Sequence, residues 1–176
     1  AAVSGALAAS MGAMVLNLTI GKEKYRQFED TCKTALHSLE NAQKLLLALM
    51  QEDITAFSEY SEVRKLDKND PSRAEKMAQA IEVCVRVPLE ISAVALAILA
   101  DLDSVKDKSN TYLLSDLGVG AELACATVKS ALLNVRANLP YIKDADKAAA
   151  IREHIEHDTV RARNLLSSIQ GYLAQI

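Results

Sequence analysis

The chain has 176 residues, half of them apolar, with 4% aromatics, no Trp, six Gly, three Pro and a net charge of −3. That length buries a core without metals or disulfide staples, and the sparse helix breakers favour long helices over a sheet sandwich. Interspersed charge and few aromatics exclude a field for polyanions or a base-stacking face, so nucleic acid is not an expected partner.

The first element, AAVSGALAASMGAMVLNLTIG, covers residues 1–21 and carries no charged side chain. It is about long enough to cross a bilayer, but Ala, Gly and Ser dilute its hydropathy and no basic stretch precedes it. A buried helix is therefore expected, with no membrane partner. Small residues at Gly5, Ala9, Gly12 and Ala13 allow a neighbouring helix to approach closely, within the subunit or across a dimer contact. Gly21 stops this helix near Ile20, with Lys22 and Lys24 just beyond, where cations favour the helix dipole.

A second helix is predicted from about Arg26 to Glu62. Phe28, Cys32, Ala35, Leu39, Ala42, Leu46 and Leu49 follow one another at steps of four and three, and the next step is Asp53 before the rhythm resumes at Ala56 and Tyr60. The polar run RKLDKNDPSR then breaks the chain, and Asp70-Pro71 is a cap and first-turn pair for a third helix, about Pro71 to Val105. Its later part, VPLEISAVALAILADL, is apolar nearly all round, as a central helix requires, and Pro88 should kink it. KDKSNTY makes the next turn, a fourth helix runs to Leu139 ahead of Pro140, and a fifth from near Asp144 to the end. The expected fold is all-α: one domain over residues 1–176, an antiparallel up-and-down bundle of about five long helices. Cys32, Cys84 and Cys125 lie on apolar helical stretches and read as buried thiols of a reducing compartment, the cytoplasm.

Asp53 is the first chemical signal, because a carboxylate in an apolar stripe is costly unless it is paired or neutralised. A bonded core residue and a working acid both satisfy that pattern. On the fourth helix the stripe Leu113, Leu117, Gly120, Ala124, Thr127, Ala131 ends on Asn134 and Asn138. Inward amides there suit either a satisfied helix end or the reading of a polar heterocycle in an apolar cleft. Asp116, beside a Ser in the first turn, needs only the helix dipole to explain it. REHIEHD, residues 152–158, offers His154 and His157 without a second ligand cluster, so a solvated face is expected and no metal site. Phosphate-cradling loops and nucleophile elbows are missing from the sequence, which leaves carboxylate acid–base chemistry as the candidate.

Several stretches taken together resemble the cyclodeaminase and cyclohydrolase family of one-carbon folate metabolism: SGALAASMGAMVLNLTIGKEKY, EDITAF, VPLEI, LLSDLGVGAEL and SALLNVRANLPYIKD. The resemblance runs nearly the length of the chain. It implies a helical homodimer acting on a tetrahydrofolate that carries a one-carbon unit, possibly polyglutamylated, with neither metal nor separate cofactor. Carried over by position, the family's acids fall on Asp53 and Asp116, its amides on Asn134 and Asn138, and its basic turn on Lys22, Lys24 and Tyr25. Asn110 keeps one Asn of the segment before Leu-Ser-Asp, while Tyr112 stands where a second Asn is usual, and the family's Gly-rich segment ahead of the first helix is absent. The implied activity is a formiminotetrahydrofolate cyclodeaminase, alternatively a methenyltetrahydrofolate cyclohydrolase, with Asp53 moving a proton and Asp116 on the opposite side of the one-carbon centre. A non-catalytic helical interaction module is the rival of another class.

Overall fold

The structure is a computed structural model that describes residues 1–175. Its helices are α1 (Ala2–Asn17), α2 (Glu29–Lys65), α3 (Arg73–Val105), α4 (Leu114–Asn138) and α5 (Ala145–Leu173), with short 3₁₀ segments at Glu23–Phe28, Thr111–Leu113 and Leu139–Tyr141. There is no strand among the described residues. α1 and α3 each pack between α2 and α4, and α5 lies along α3 and α4. Successive helices are antiparallel: Gly5 meets Leu46 while Gly12 meets Leu39, Cys32 reaches the carbonyl of Lys108 while Cys84 reaches that of Ala56, and Gln170 bonds Glu122 while Arg136 bonds Glu156.

Local chemistry sets most boundaries. Gly21 has φ +80°, a left-handed conformation that closes the turn after α1 without a Cβ penalty. Asp70 lies two residues ahead of the N-cap position: its Oδ1 accepts from the Ser72 backbone N–H at 2.8 Å and the Ser72 hydroxyl at 2.7 Å, and α3 begins only at Arg73. Those two bonds also hold the Asp70 carboxyl below the usual range. Asp144 caps α5 by accepting from Lys147 N–H at 3.0 Å.

The core follows the predicted stripes. On α2, Cys32, Ala35, Leu39, Ala42, Leu46, Leu49 and Ala56 are buried. α3 contributes Val87, Ile98, Leu99, Leu102 and Val105 with no exposed surface. It is long and apolar enough to cross a bilayer by length and composition, with mean hydropathy 2.0, yet half of that window is packed inside the bundle. Close approach explains the small residues of α1: a Cβ on Gly12 would lie 2.7 Å from a Leu102 methyl and 2.9 Å from a Leu39 methyl. The expectation of a buried first helix needs correction on one side. Val3, Leu7, Met14 and Leu18 are 38–55% exposed, because α1 is apolar all round but, among the described residues, has neighbours only on the side toward α2, α3 and α4.

Candidate active site

The residues singled out in the sequence separate into two groups at opposite ends of the bundle. At the first end, Thr19, Tyr25, Asn110 and Thr111 join the α1–α2 connection to the start of α4. Asn110 is 4% exposed and both ends of its amide are bonded: Nδ2 donates to the carbonyl of Leu18 at 3.3 Å and Oδ1 accepts from Tyr112 N–H at 3.2 Å. Its backbone N–H donates to Thr19 Oγ1 at 2.9 Å, and Thr111 N–H donates to the Tyr25 hydroxyl at 3.0 Å. Bonds from the Thr111 hydroxyl and N–H, with Lys24 adding to them, lower the Tyr25 phenol pKa. Lys24 places its ammonium 5.3 Å from the Tyr25 ring centre. Lys22 and Lys24 are exposed, as is Tyr112 at 91%. Asp116, half-buried in the first turn of α4, belongs to this end.

At the second end, α2, α3 and α4 meet around Cys84. Proline has no N–H, so Pro88 inside α3 leaves the Cys84 carbonyl, four residues earlier, without its helical donor. Asn138 supplies one: its Nδ2 donates to that carbonyl at 3.2 Å and to the Asn134 carbonyl at 3.0 Å. An orphaned carbonyl there would cost about 1–3 kcal/mol. The Cys84 thiol reaches the Ala56 carbonyl at 3.9 Å, and burial pushes its pKa up with the Asp53 carboxylate adding to the effect, so Asp53 lies within electrostatic reach of it. Beside them Arg86 of α3 bridges Glu52 of α2 and Glu90, the latter at 2.7 Å. Asp53 itself is half-buried between Leu49 and Ala56, and makes no ion pair or side-chain hydrogen bond among the described residues.

Three expectations change. Asn134 is exposed: α4 buries Val135 where the count of four and three picked position 134, and at 3.6 residues per turn both continue the stripe from Ala131. Asn110 and Asn138 already use their amides on the protein, so neither is free to read a ligand with its whole hydrogen-bonding capacity. Asp53 and Asp116 do not face each other in one chain. Asp116 and Asn138 are 22 residues apart on α4, which is about 33 Å at ~1.5 Å per residue, and Asn138 is the residue that shares Cys84 with Asp53.

Sequence reasoning missed the Pro88–Cys84–Asn138 link, although a proline inside a helix always frees one carbonyl and thus signals that some donor must be found. It also misread one acid on α5. His154 and His157 are exposed, but Asp158 between them is 4% exposed and meets each imidazole at 3.2 Å. The buried stripe Ile155, Asp158, Ala162, Ile169 carries it inward. Cys84 is half-buried, unlike Cys32 and Cys125. No cluster of three metal-ligating side chains occurs among the described residues.

A sequence model described as formiminotransferase-cyclodeaminase matches residues 1–157. A methenyltetrahydrofolate cyclohydrolase of Methylorubrum extorquens is 34% identical over 148 residues, 82% of this chain and 71% of that protein. A formimidoyltransferase-cyclodeaminase of Gallus gallus is 32% identical over 82% of this chain, which spans only 27% of that longer protein. The crystal structure of a formiminotetrahydrofolate cyclodeaminase from Thermotoga maritima superposes with a TM-score of 0.91 over 99% of this chain and 85% of that one, at 23% identity, so the same fold is present in both.

Proposed function

The chain belongs to the formiminotransferase-cyclodeaminase family, and on that premise we propose that it is a one-carbon folate enzyme, a formiminotetrahydrofolate cyclodeaminase. The observation that carries a catalytic reading is Asp53: a half-buried carboxylate, unpaired among the described residues, in an otherwise apolar stripe beside Cys84. In this reading N10 of the substrate attacks the carbon of the protonated formimino group, an N10–C bond forms, the bond from that carbon to the terminal nitrogen breaks, and ammonia leaves while the positive charge stays on the methenyl bridge. Asp53 takes the N10 proton and returns it to the departing nitrogen, a task for one acid–base group held away from bulk water. No metal or separate cofactor takes part, and the setting is the cytoplasm.

Because Asp116, Lys22, Lys24 and Tyr25 stand at the far end of the same chain, the complete site requires two chains. An antiparallel homodimer sets the Asp116 end of one protomer against the Asp53 end of its partner. The bare apolar stripe of α1, Val3, Leu7, Met14 and Leu18, supports such a contact, since its burial would recover about 25 cal/mol per Å² of apolar surface. Lys22 and Lys24 then meet the glutamate tail of the folate, while Asn134 and Asn138 border the pocket.

The 34% identical cyclohydrolase supports a second reading at the same carbon, in which water attacks the methenyl bridge of 5,10-methenyltetrahydrofolate with Asp53 as base. Purified protein given 5-formiminotetrahydrofolate, then the methenyl compound, separates the two by methenyl absorbance and ammonia release. Methenyl absorbance rising with ammonia supports the deaminase, and its loss without ammonia the hydrolase. No turnover of either substrate and no calorimetric binding of 5-formyltetrahydrofolate would leave the non-catalytic interaction module.

A further inference from the structure

A second cleft opens between the N-terminal half of α3, the connection from α4 to α5 and the start of α5. Its volume is about 650 Å³, inside the range of about 300–1,000 Å³ that small-molecule sites occupy. Asp53, Cys84, Asn134 and Asn138 are not among its walls. Its walls are aliphatic at Met77, Ile81, Val85, Leu89, Ile142 and Ile151, with charged side chains of both signs among them.

Once Glu52 is counted with its partner Arg86, the charges around the cleft balance, but they are not evenly paired. Lys147 is matched by Glu82 at 2.6 Å, Arg86 is held by Glu52 and Glu90, and Asp144 caps α5 while keeping its own negative charge, next in sequence to Lys143. Arg73 and Lys143 remain, neither in an ion pair among the described residues. The Nε of Arg73 is enclosed and still has no hydrogen-bond partner among the described residues, although a buried guanidinium donor is normally satisfied. Aliphatic walls call for an apolar body, and two cations outside any ion pair among the described residues, one with an unsatisfied Nε, call for one anionic end.

We propose that this cleft binds an amphiphilic carboxylate, its apolar body on Ile81, Val85 and Ile151 and its carboxylate on Arg73 and Lys143. The cleft shares Arg86 with the Asp53 end of the bundle, but Asp53 itself is not among its walls. Straight-chain and aromatic carboxylates share the required chemistry, and octanoate and 4-butylbenzoate serve as probes of the two, with uncharged 1-octanol as the control.

Titration calorimetry on the full chain tests this. Saturable binding of either carboxylate is expected, and the Arg73→Gln, Lys143→Gln double variant should weaken it by about tenfold or more while changing 1-octanol by less than about threefold. Ala78→Trp, at an exposed wall position, should fill the cleft and remove both without disturbing the helical circular dichroism. Asp53→Asn should keep carboxylate affinity even where turnover is lost, which distinguishes this site from the folate proposal. Absence of saturable binding for both carboxylates, affinity unchanged in the double variant, or affinity lost in Asp53→Asn would each overturn the assignment.

Discussion

At the Tyr25 end, Thr19, Asn110, Tyr25 and Thr111 bond one another and the nearby backbone until each has a partner, whereas at the Pro88 end Asn138 repairs a single broken helical bond and the carboxylate of Asp53 has no partner among the described residues. Both ends place polar groups against apolar helices, and periodicity alone scores them alike. The difference lies in whether the local backbone already demands those groups. A loop crossing the top of a bundle has N–H and C=O groups to satisfy, so such bonds have a structural reason even at a side chain, such as Tyr25, that the proposed site also uses; a continuous helix such as α2 makes no such demand, so an acid on it without a partner among the described residues is the stronger candidate for chemistry.

The sharpest break in this comparison is Asp53→Asn. Turnover should fall by about 10²–10⁴-fold, the usual contribution of a general acid–base group, with circular dichroism and sedimentation unchanged. Mixing that variant with Asp116→Asn and allowing subunits to exchange should restore up to about a quarter of wild-type turnover, because half the dimers then carry one intact composite site. Recovery absent after verified exchange would place both acids' functions in one chain or deny Asp116 a role.

A smaller effect is expected from the repair at Cys84. Asn138→Ala should cost about 1–2 kcal/mol in urea unfolding, and Asn110→Ala a similar amount. The two should part in a Pro88→Ala background: alanine at 88 returns the helical N–H to the Cys84 carbonyl, so the cost of Asn138→Ala should fall by about half or more while that of Asn110→Ala stays the same. Equal costs in both backgrounds would show that the Asn138 bond is not a substitute for the one that proline removes.

The smallest effect concerns Asp101, on the α3 face toward Ser38. Burial raises its carboxyl pKa, opposed by a bond from Ser38, and its Oδ2 has no partner among the described residues. The folded state therefore holds this proton more tightly than the unfolded chain, so the stability it contributes is complete at low pH and lost as pH rises through the folded pKa. Asp101→Asn, which does not titrate, should be more stable than wild type by under about 1 kcal/mol near neutral pH, with the gap closing toward about pH 3. A gap that widens on acidification would reverse the sign.

Much of the helical frame was readable from spacing. The stripe from Cys32 to Ala56 on α2, Gly21 in the turn after α1 and the start of α5 near Asp144 are local properties, each set by residues within a few positions of one another. Asn134 was less legible because a step of three and a step of four both continue a helical stripe, and only the packing around Val135 selects between them. Asp158 likewise looked solvated among charged neighbours until the stripe of α5 turned it inward between two exposed histidines.

The sequence by itself determined five amphipathic or apolar helices, the breaks between them and an acid on the buried face of α2, since those follow from backbone chemistry and from a periodicity of 3.6 residues. Only the tertiary structure decided which polar residues meet. It joined Asn138 to Cys84 across 54 positions and Asn110 to Leu18 across 92, and it set Asp53 and Asp116 at opposite ends of the bundle. Hydrogen bonds and charges act over a few ångströms in space, and spacing along a chain carries no record of which distant helix will supply the partner.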